Sequence, residues 1–403
     1  MTDSRDRDAA SWEAYWRGAG ESNAGDVGGV NQPAVDAFWL GHLPDALPAA
    51  RQQPRILDIA TGNGAMIAKI LASMAGRDPQ IECVDVSPSA IDAVSARFPF
   101  VSGKVGDVSR LPYDDGAFDL VVSQFGLEYA GENAFREAAR VVAPGGRLAL
   151  VVHIQEGAVY RECRDNLDAL QRLRASNFIT LARQMFEEAF TARTGGSREA
   201  YESAARQLQP AIEELDGIMS EYGTAVADNT ISQLYDGVRR IHERIVHYDA
   251  NEVLTWLARM NEEVDTFIYR MSSMLGSAID EAGFEEICAV LRDGDLFLEQ
   301  TKPLVPATEE LPVAWLIVAG RRDDASHQGE ASPSQRAEPA VGEDVRLWVA
   351  DEKKRAIDDL MAGDRIDDEF FEVDVEAALP FKALIGSIRR PRDTERSQWF
   401  VTY

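Results

Sequence analysis

Two glycines and an aspartate lie where a short apolar run gives way to a helical pattern. The run 56–59 contains Asp58, and Gly62 and Gly64 follow it closely. Glycines at such a turn let the chain reverse sharply and let the backbone approach a ligand. An acid just before the turn would repel a pyrophosphate but would suit a positively charged ligand. The turn therefore predicts a site for a cationic ligand at the end of a strand.

Two further acids follow later apolar runs. Asp85 ends the run 81–86, at the place where doubly wound folds use an acid to accept hydrogen bonds from ribose hydroxyls. Asp107 follows a fainter run and would lie on the side of the base. Position 67 is Ile, not the third glycine of a dinucleotide motif, and no P-loop motif occurs. Together these features favour S-adenosylmethionine, which carries a sulfonium and an ammonium group on a nucleoside.

The elements around these residues form a βαβ pattern. Apolar runs alternate with helical patterns over 55–153, which is typical of a parallel sheet covered on both faces. From 155 to 268 apolar residues recur at spacings of three and four, which predicts about four amphipathic helices packed as a bundle. A helix is then predicted over 272–282 and strands at 286–292 and 313–319. The predicted domains are 1–154, 155–268, 269–320, a disordered linker at 321–343, and a small αβ module at 344–403.

Four segments carry a family resemblance. They are Asp58-Ile-Ala-Thr-Gly-Asn-Gly, Val84-Asp-Val-Ser-Pro, Gly106-Asp-Val-Ser-Arg-Leu-Pro-Tyr-Asp-Asp-Gly-Ala-Phe-Asp, and Pro144-Gly-Gly. On these motifs the chain resembles the class I S-adenosylmethionine-dependent methyltransferases, with Ala60 in place of a usual glycine. The resemblance implies an α/β fold with a doubly wound, seven-stranded, mostly parallel Rossmann-like sheet. It also implies that S-adenosylmethionine is held by Asp58, Ala60, Gly62, Gly64, Asp85, Val86, Asp107, Val108 and Gln124.

The acceptor of the methyl group is predicted only by class. The segment 123–127 resembles that of small-molecule methyltransferases, and the [DN]-P-P-[YF] motif of adenine and glutamine methyltransferases does not follow the fourth strand. The inserted helices would roof the crevice and shape an apolar acceptor pocket. The alternative is that they form a homodimer interface. Two other functions stay open: a peptide or protein methyltransferase that recruits its partner through 344–403, and a non-catalytic regulatory protein that binds S-adenosylmethionine.

His153 is the candidate general base. It ends the fifth strand, and an imidazole suits removal of a proton from an acceptor. Glu128 and Tyr129 could orient His153 or bind the acceptor. The alternative is that His153 only hydrogen-bonds the helices, because proximity alone drives many methyl transfers. The five histidines show no spacing that predicts a metal site.

Charge and composition limit the partners. The formal net charge of −27 argues against a broad nucleic-acid surface and against binding to anionic membranes. No apolar run has the length of a membrane span, and the N-terminus does not resemble a secretory signal. Three widely spaced cysteines indicate a reducing compartment. We therefore expect a cytoplasmic protein.

Overall fold

Seven strands form one mixed sheet in the order β3-β2-β1-β4-β5-β7-β6. The computed structural model describes residues 10, 12–13, 15–17, 33–47, 52–74, 76–306 and 310–323. The strands are β1 Arg55–Ile59, β2 Gln80–Asp85, β3 Ser102–Val105, β4 Phe118–Gln124, β5 Val142–Val152, β6 Leu296–Leu304 and β7 Ala314–Arg321. Strands β1 to β5 are parallel, whereas β7 runs antiparallel to both β5 and β6. The predicted seven-stranded, mostly parallel sheet is confirmed.

Helices follow the strands in the order of a doubly wound fold. Those of the sheet region are α1 Pro33–His42, α2 Ala65–Ser73, α3 Pro88–Arg97 and α4 Glu132–Arg140. Both faces of β4 are covered, since Leu120, Val121 and Val122 are all fully buried. Val121 belongs to a core cluster with Phe135 of α4. Burial on both faces explains why β4 has a continuous apolar run and not an alternating pattern.

Five helices follow β5, where the sequence predicts about four. They are α5 Ala158–Ala175, α6 Phe178–Arg193, α7 Arg198–Tyr222, α8 Thr230–Glu243 and α9 Ala250–Ser277. The predicted breaks near 195, 223 and 249 fall between these helices, but a further break at Asn177 separates α5 from α6. The helical region also extends to Ser277, beyond the predicted end at 268. Within the described ranges, no helix combines the length and apolarity needed to cross a membrane.

The predicted strand at 286–292 is wrong. The segment belongs to the helix α10 Glu281–Asp293, and the hairpin partner of β7 is β6. Ile287, Cys288 and Leu291 are buried at helical spacing against the sheet, so the short apolar run was helical and not extended. The Asp280 carboxylate accepts the Gly283 N–H at 2.8 Å, which caps α10 and leaves Gly283 inside its first turn.

The preceding helix ends because the chain rejoins the sheet. The sequence predicts a helix over 272–282, but α9 ends at Ser277. The Ile279 N–H donates to the His153 carbonyl at 2.9 Å, and the Gln155 N–H donates to the Ile279 carbonyl at 3.0 Å. The predicted linker beyond residue 323 and the predicted module 344–403 lie outside the described residues.

Candidate functional site

The turn after β1 brings a buried acid and a tight backbone together. Asp58 is almost fully buried, and its carboxylate accepts a hydrogen bond from the Thr61 hydroxyl at 2.6 Å. Ala60 has a φ of +56°, a conformation that glycine adopts at less cost, which fits the glycine usual there in the family it resembles. Position 126, after β4, has to be glycine because a Cβ there would lie 2.4 Å from the Ala60 Cβ.

Asp85 ties the end of β2 to this turn. One carboxylate oxygen accepts the Gly62 N–H at 2.9 Å, and the other accepts the Ser87 N–H at 2.9 Å. Burial raises the pKa of Asp85, and these backbone donors oppose that rise. The carboxyl ends of β1 and β2 therefore form one acidic edge.

Asp58, the other acid of this edge, also has a raised pKa. Burial raises its pKa to about 7, the negative charge of Asp85 adds to the rise, and the Thr61 hydrogen bond opposes it. A buried carboxyl group of this kind is strongly stabilised in its charged form by a cation placed beside it. Asp58 therefore suits a cationic ligand group.

A cleft opens above the turn and contains about 680 Å³, including its solvent-open mouth. Asp58, Gly62 and Asn63 lie on one side of it. Trp12, Tyr15 and Trp16 lie on another, in helical backbone of the N-terminal segment. The Trp16 ring packs closely on Gly62, since a Cβ at position 62 would lie 2.5 Å from the nearest ring carbon.

A carboxylate holds the N-terminal segment in place. Glu13 accepts hydrogen bonds from the Ser87 hydroxyl at 2.6 Å, the Ser89 N–H at 3.0 Å and the Ser89 hydroxyl at 2.6 Å. These donors lie at the N-terminus of α3, where the helix dipole also favours a negative charge. The serine hydrogen bonds lower the pKa of Glu13 to about 2. Glu13 thus fastens the aromatic segment beside the glycine turn.

His153 and Glu128 form a buried pair at the far side of the cleft. Glu128 Oε1 lies 2.7 Å from His153 Nδ1 and also accepts the His153 N–H at 2.9 Å. The imidazole stacks on Phe125 with ring centroids 4.2 Å apart, and Tyr129 meets it edge-on at 5.9 Å. Burial raises the pKa of Tyr129 well above its usual range. Packing on three sides fixes the orientation of the ring.

The long helix α9 supplies the wall opposite the sheet. Arg270 and Met274, one helical turn apart, both line the cleft. Beyond His153 a smaller cavity of about 170 Å³ continues between α5 and α9, lined by Val159, Cys163 and Met274 among others. The described helices therefore reach the site, and the space beyond His153 is mostly apolar.

The structure brings together only part of the predicted site. Asp58, Ala60, Gly62, Gln124, Tyr129 and His153 line the cleft, whereas Glu128 lies behind His153. Asp85 and Val86 do not line it; the Asp85 carboxylate is bonded to backbone donors, and Val86 is 39% exposed.

Three other residues predicted to hold the cofactor, Gly64, Asp107 and Val108, do not line this cleft. Asp107 is exposed and accepts the N–H and hydroxyl of Ser109 at 2.8 and 2.7 Å. Val108 is buried in the core under the sheet edge. Gly64 precedes α2 and faces Phe98. Their roles toward a cofactor stay predictions.

Of the cleft residues that the sequence analysis did not name as site residues, five come from the N-terminal segment and α9: Trp12, Tyr15, Trp16, Arg270 and Met274. The helical spacing of the three aromatic residues was a usable signal, because a cluster of this kind before the first strand has to cover something. Met274 continues the apolar pattern of α9 and Arg270 is one of several charged residues on that helix, so neither carried such a signal.

Sequence comparison assigns the segment that forms the glycine turn and the acidic edge. A family described as "Methyltransferase domain" matches residues 56–146. The chain contains a class I S-adenosylmethionine-dependent methyltransferase domain. The predicted resemblance is confirmed, and the cofactor of this domain is S-adenosylmethionine.

Several curated methyltransferases share this domain with the chain. A demethylmenaquinone methyltransferase of Beutenbergia cavernae is 34% identical over 118 residues, which cover 29% of this chain and 47% of that protein. An uncharacterized methyltransferase of Schizosaccharomyces pombe is 33% identical over 105 residues, covering 26% of this chain and 41% of that protein. The chain thus spans less than half the length of these relatives.

Solved structures are more distant. An S-adenosylmethionine dependent methyltransferase from Mesorhizobium loti is 21% identical, covers 28% of this chain and 53% of its own, and gives a TM-score of 0.25. The strand order described above is therefore taken from the strand pairing in this chain and not from that structure.

The described residues fit the cofactor. Asp58 is a buried acid that faces the cleft and suits an ammonium group. Asp85 ends β2, where a ribose acid is expected, but its carboxylate does not line the cleft. Among the described residues, no group of three histidine, cysteine or acidic side chains is arranged to hold a metal.

Proposed function

We propose that this chain transfers the methyl group of S-adenosylmethionine to a small or medium-sized organic acceptor. The observation that carries the proposal is a single cleft with two different ends. One end is the turn with Asp58 and Gly62, and the other is His153 with the α9 wall. If the cofactor occupies the first end, the second end stays available for an acceptor.

When bound, S-adenosylmethionine supplies an electrophilic methyl group that a nucleophile displaces in line. The chain's own contribution is to bind, orient and exclude water. Asp58 offers a carboxylate to a cationic group, and the aromatic segment shields the turn. A shielded site strengthens the electrostatic interactions inside it and keeps the two reactants in contact.

We propose His153 as the general base and Glu128 as the residue that positions it. Donation of the Nδ1 hydrogen to Glu128 at 2.7 Å leaves Nε2 as the basic nitrogen of the ring. A base at this place would remove a proton from a hydroxyl, amine or carbon acid as the methyl group arrives. The acceptor atom stays open among O, N and C.

The relatives support a small acceptor. Demethylmenaquinone methyltransferases, by their name, act on a small molecule, and they share this domain with the chain. The mostly apolar cavity beyond His153 also suits an organic body. A homodimer through the helices α5–α9 and a protein partner for 344–403 remain proposals.

Two measurements test the function. Calorimetry with S-adenosylhomocysteine should show one site per chain, and absence of binding would contradict the proposal. The full chain is then incubated with S-adenosylmethionine and a cell extract separated by size, and S-adenosylhomocysteine release is followed. Turnover with the small-molecule fraction supports the proposal. Turnover only with the protein fraction would favour a protein methyltransferase, and binding without turnover would favour a regulatory protein.

A further inference from the structure

A partly buried arginine faces the cleft, and the described part of the chain gives it no anionic partner. Arg270 lies on α9, lines the cleft, and is positioned over the rings of Tyr15 and Phe267 at 4.5 and 4.4 Å. Its Nε is buried and has no hydrogen-bond partner among the described residues. Aromatic faces attract a cation but accept no strong hydrogen bond from a guanidinium group.

Arg172, in the same helical region, is paired with two acids. Arg172 of α5 donates to Glu214 at 2.8 Å and to Glu221 at 2.7 Å. The charge of Asp228 reaches Arg270, but within the described ranges Arg270 forms no ion pair with it or with another carboxylate.

Burial without a partner is unfavourable. Desolvation lowers the pKa of Arg270, and the nearby groups Tyr15 and Asp228 offset that effect only in part. A buried cation is normally retained only where an anion completes it. The cleft supplies space on the open side of the guanidinium for such a group.

We propose that Arg270 is the anion-binding residue of the cleft and takes a carboxylate of the bound ligand. This inference rests on the proposed function. Two ligands could bring that carboxylate: the amino-acid end of the cofactor, or an acidic acceptor. Met274, on the same face of α9, lines the apolar cavity beyond His153, so an acceptor held at Arg270 would combine an acid with an apolar body.

The first arm of the test concerns the cofactor. Arg270→Met removes the charge and keeps most of the length, and Arg259→Met is the matched control at an exposed position of α9. Calorimetry compares S-adenosylhomocysteine with its decarboxylated thiopropylamine analogue. If the cofactor supplies the carboxylate, Arg270→Met should weaken S-adenosylhomocysteine by about 10- to 100-fold and leave the analogue nearly unchanged.

The second arm concerns the acceptor. Phenylacetate and octanoate are titrated into protein saturated with S-adenosylhomocysteine. If the acceptor supplies the carboxylate, these probes should bind the native chain and Arg259→Met and should lose at least about tenfold in affinity with Arg270→Met. Arg270→Lys, which keeps the charge without the planar fork, should lie between them.

The outcomes separate the two proposals. Failure of the native chain to bind S-adenosylhomocysteine would contradict the proposed function. Normal binding with no difference between native protein and Arg270→Met, for the cofactor and for both carboxylates, would overturn the role of Arg270. A structural role would appear as a lower unfolding temperature of ligand-free Arg270→Met. We expect that temperature to stay level or rise, because an uncompensated buried charge is removed.

Discussion

Asp58 shows how one buried side chain can couple cofactor binding to pH. Its carboxyl group has a pKa of about 7 in the folded chain, against 3.8 for an ordinary aspartate. Between these values the folded chain binds more protons than the unfolded chain, so this group makes the ligand-free fold less stable as pH rises from about 4 to 7. A cationic ligand favours the ionised form and so reverses the shift.

We therefore predict that cofactor affinity increases with pH up to about 7. Below that value the dissociation constant of S-adenosylhomocysteine should decrease by roughly tenfold for each unit by which the pH rises, because binding releases a proton. Calorimetry at several pH values, in two buffers of different ionisation enthalpy, counts the proton. Asp58→Asn should bind weakly with a flat profile. A native chain with equal affinity at pH 5.5 and 7.5 would contradict the assignment.

The pair of His153 and Glu128 permits a test by double substitution. If His153 is the base, His153→Ala should reduce turnover by about 10²- to 10⁴-fold with S-adenosylhomocysteine affinity nearly unchanged. Glu128→Gln should reduce turnover less. Because Glu128 acts through the imidazole at 2.7 Å, the double variant should be no slower than His153→Ala alone.

His242→Ala is the matched control for that pair. His242 lies on α8 with its Nε2 2.6 Å from the Tyr201 hydroxyl, outside the residues that line the cleft. Turnover of the His242→Ala variant should stay near that of the native chain. Normal turnover of His153→Ala would remove the general-base role and leave the methyltransferase domain unaffected.

The N-terminal segment is the element that separates the glycine turn from solvent. Its attachment depends on the Glu13 carboxylate, whose pKa of about 2 lies below the usual 4.5. This contribution is therefore fully present above about pH 4.5 and is lost as pH falls toward 2. At neutral pH, substitution is the only way to remove it.

We predict that Glu13→Gln releases the segment at neutral pH. Hydrogen exchange of a peptide that covers residues 10–17 should become faster, and S-adenosylhomocysteine should dissociate faster, because the neutral amide is a poorer acceptor for the Ser87 and Ser89 donors. Arg17→Gln is the control, since Arg17 is 72% exposed and its ion pair with Glu13 at 3.1 Å contributes little. Equal exchange in both variants would contradict the proposed attachment.

At the scale of the whole molecule, β7 closes the described unit. It pairs with both β5 and β6, and the Arg321 guanidinium at its end donates to the Ala139 and Gly294 carbonyls at 2.9 Å. A boundary at residue 320 would thus cut a strand that locks α4 and α10. The useful boundary lies after Asp323.

We predict that a chain ending at Asp323 folds and binds S-adenosylhomocysteine within about threefold of the full chain. A chain ending at Leu311 lacks β7, which leaves β5 and β6 without their common partner, and should not fold. Circular dichroism and calorimetry compare the two. Loss of binding in the longer fragment would show that residues 324–403 are needed for the site.

Short-range pattern was enough to predict the glycine turn and the acidic edge of this protein. Asp58, the glycine turn and Asp85 belong to local strand–turn–helix units, and the parallel arrangement of β1 and β2 then has to bring their carboxyl ends to one edge. The breaks between most of the helices after β5 were also local, because Gly223 follows the end of α7 and Asp249 is the N-cap of α9.

Long-range packing decided the rest. The segment 286–292 had strand-forming residues, but contact with the sheet selected the helix α10. Trp16 packs on Gly62, and Arg270 comes from a helix about two hundred residues after the turn that it faces. No spacing within a short window encodes such contacts, since they follow from how complete elements bury their apolar faces. The parts of the cleft wall that come from the N-terminal segment and α9 therefore became visible only once those elements were assembled.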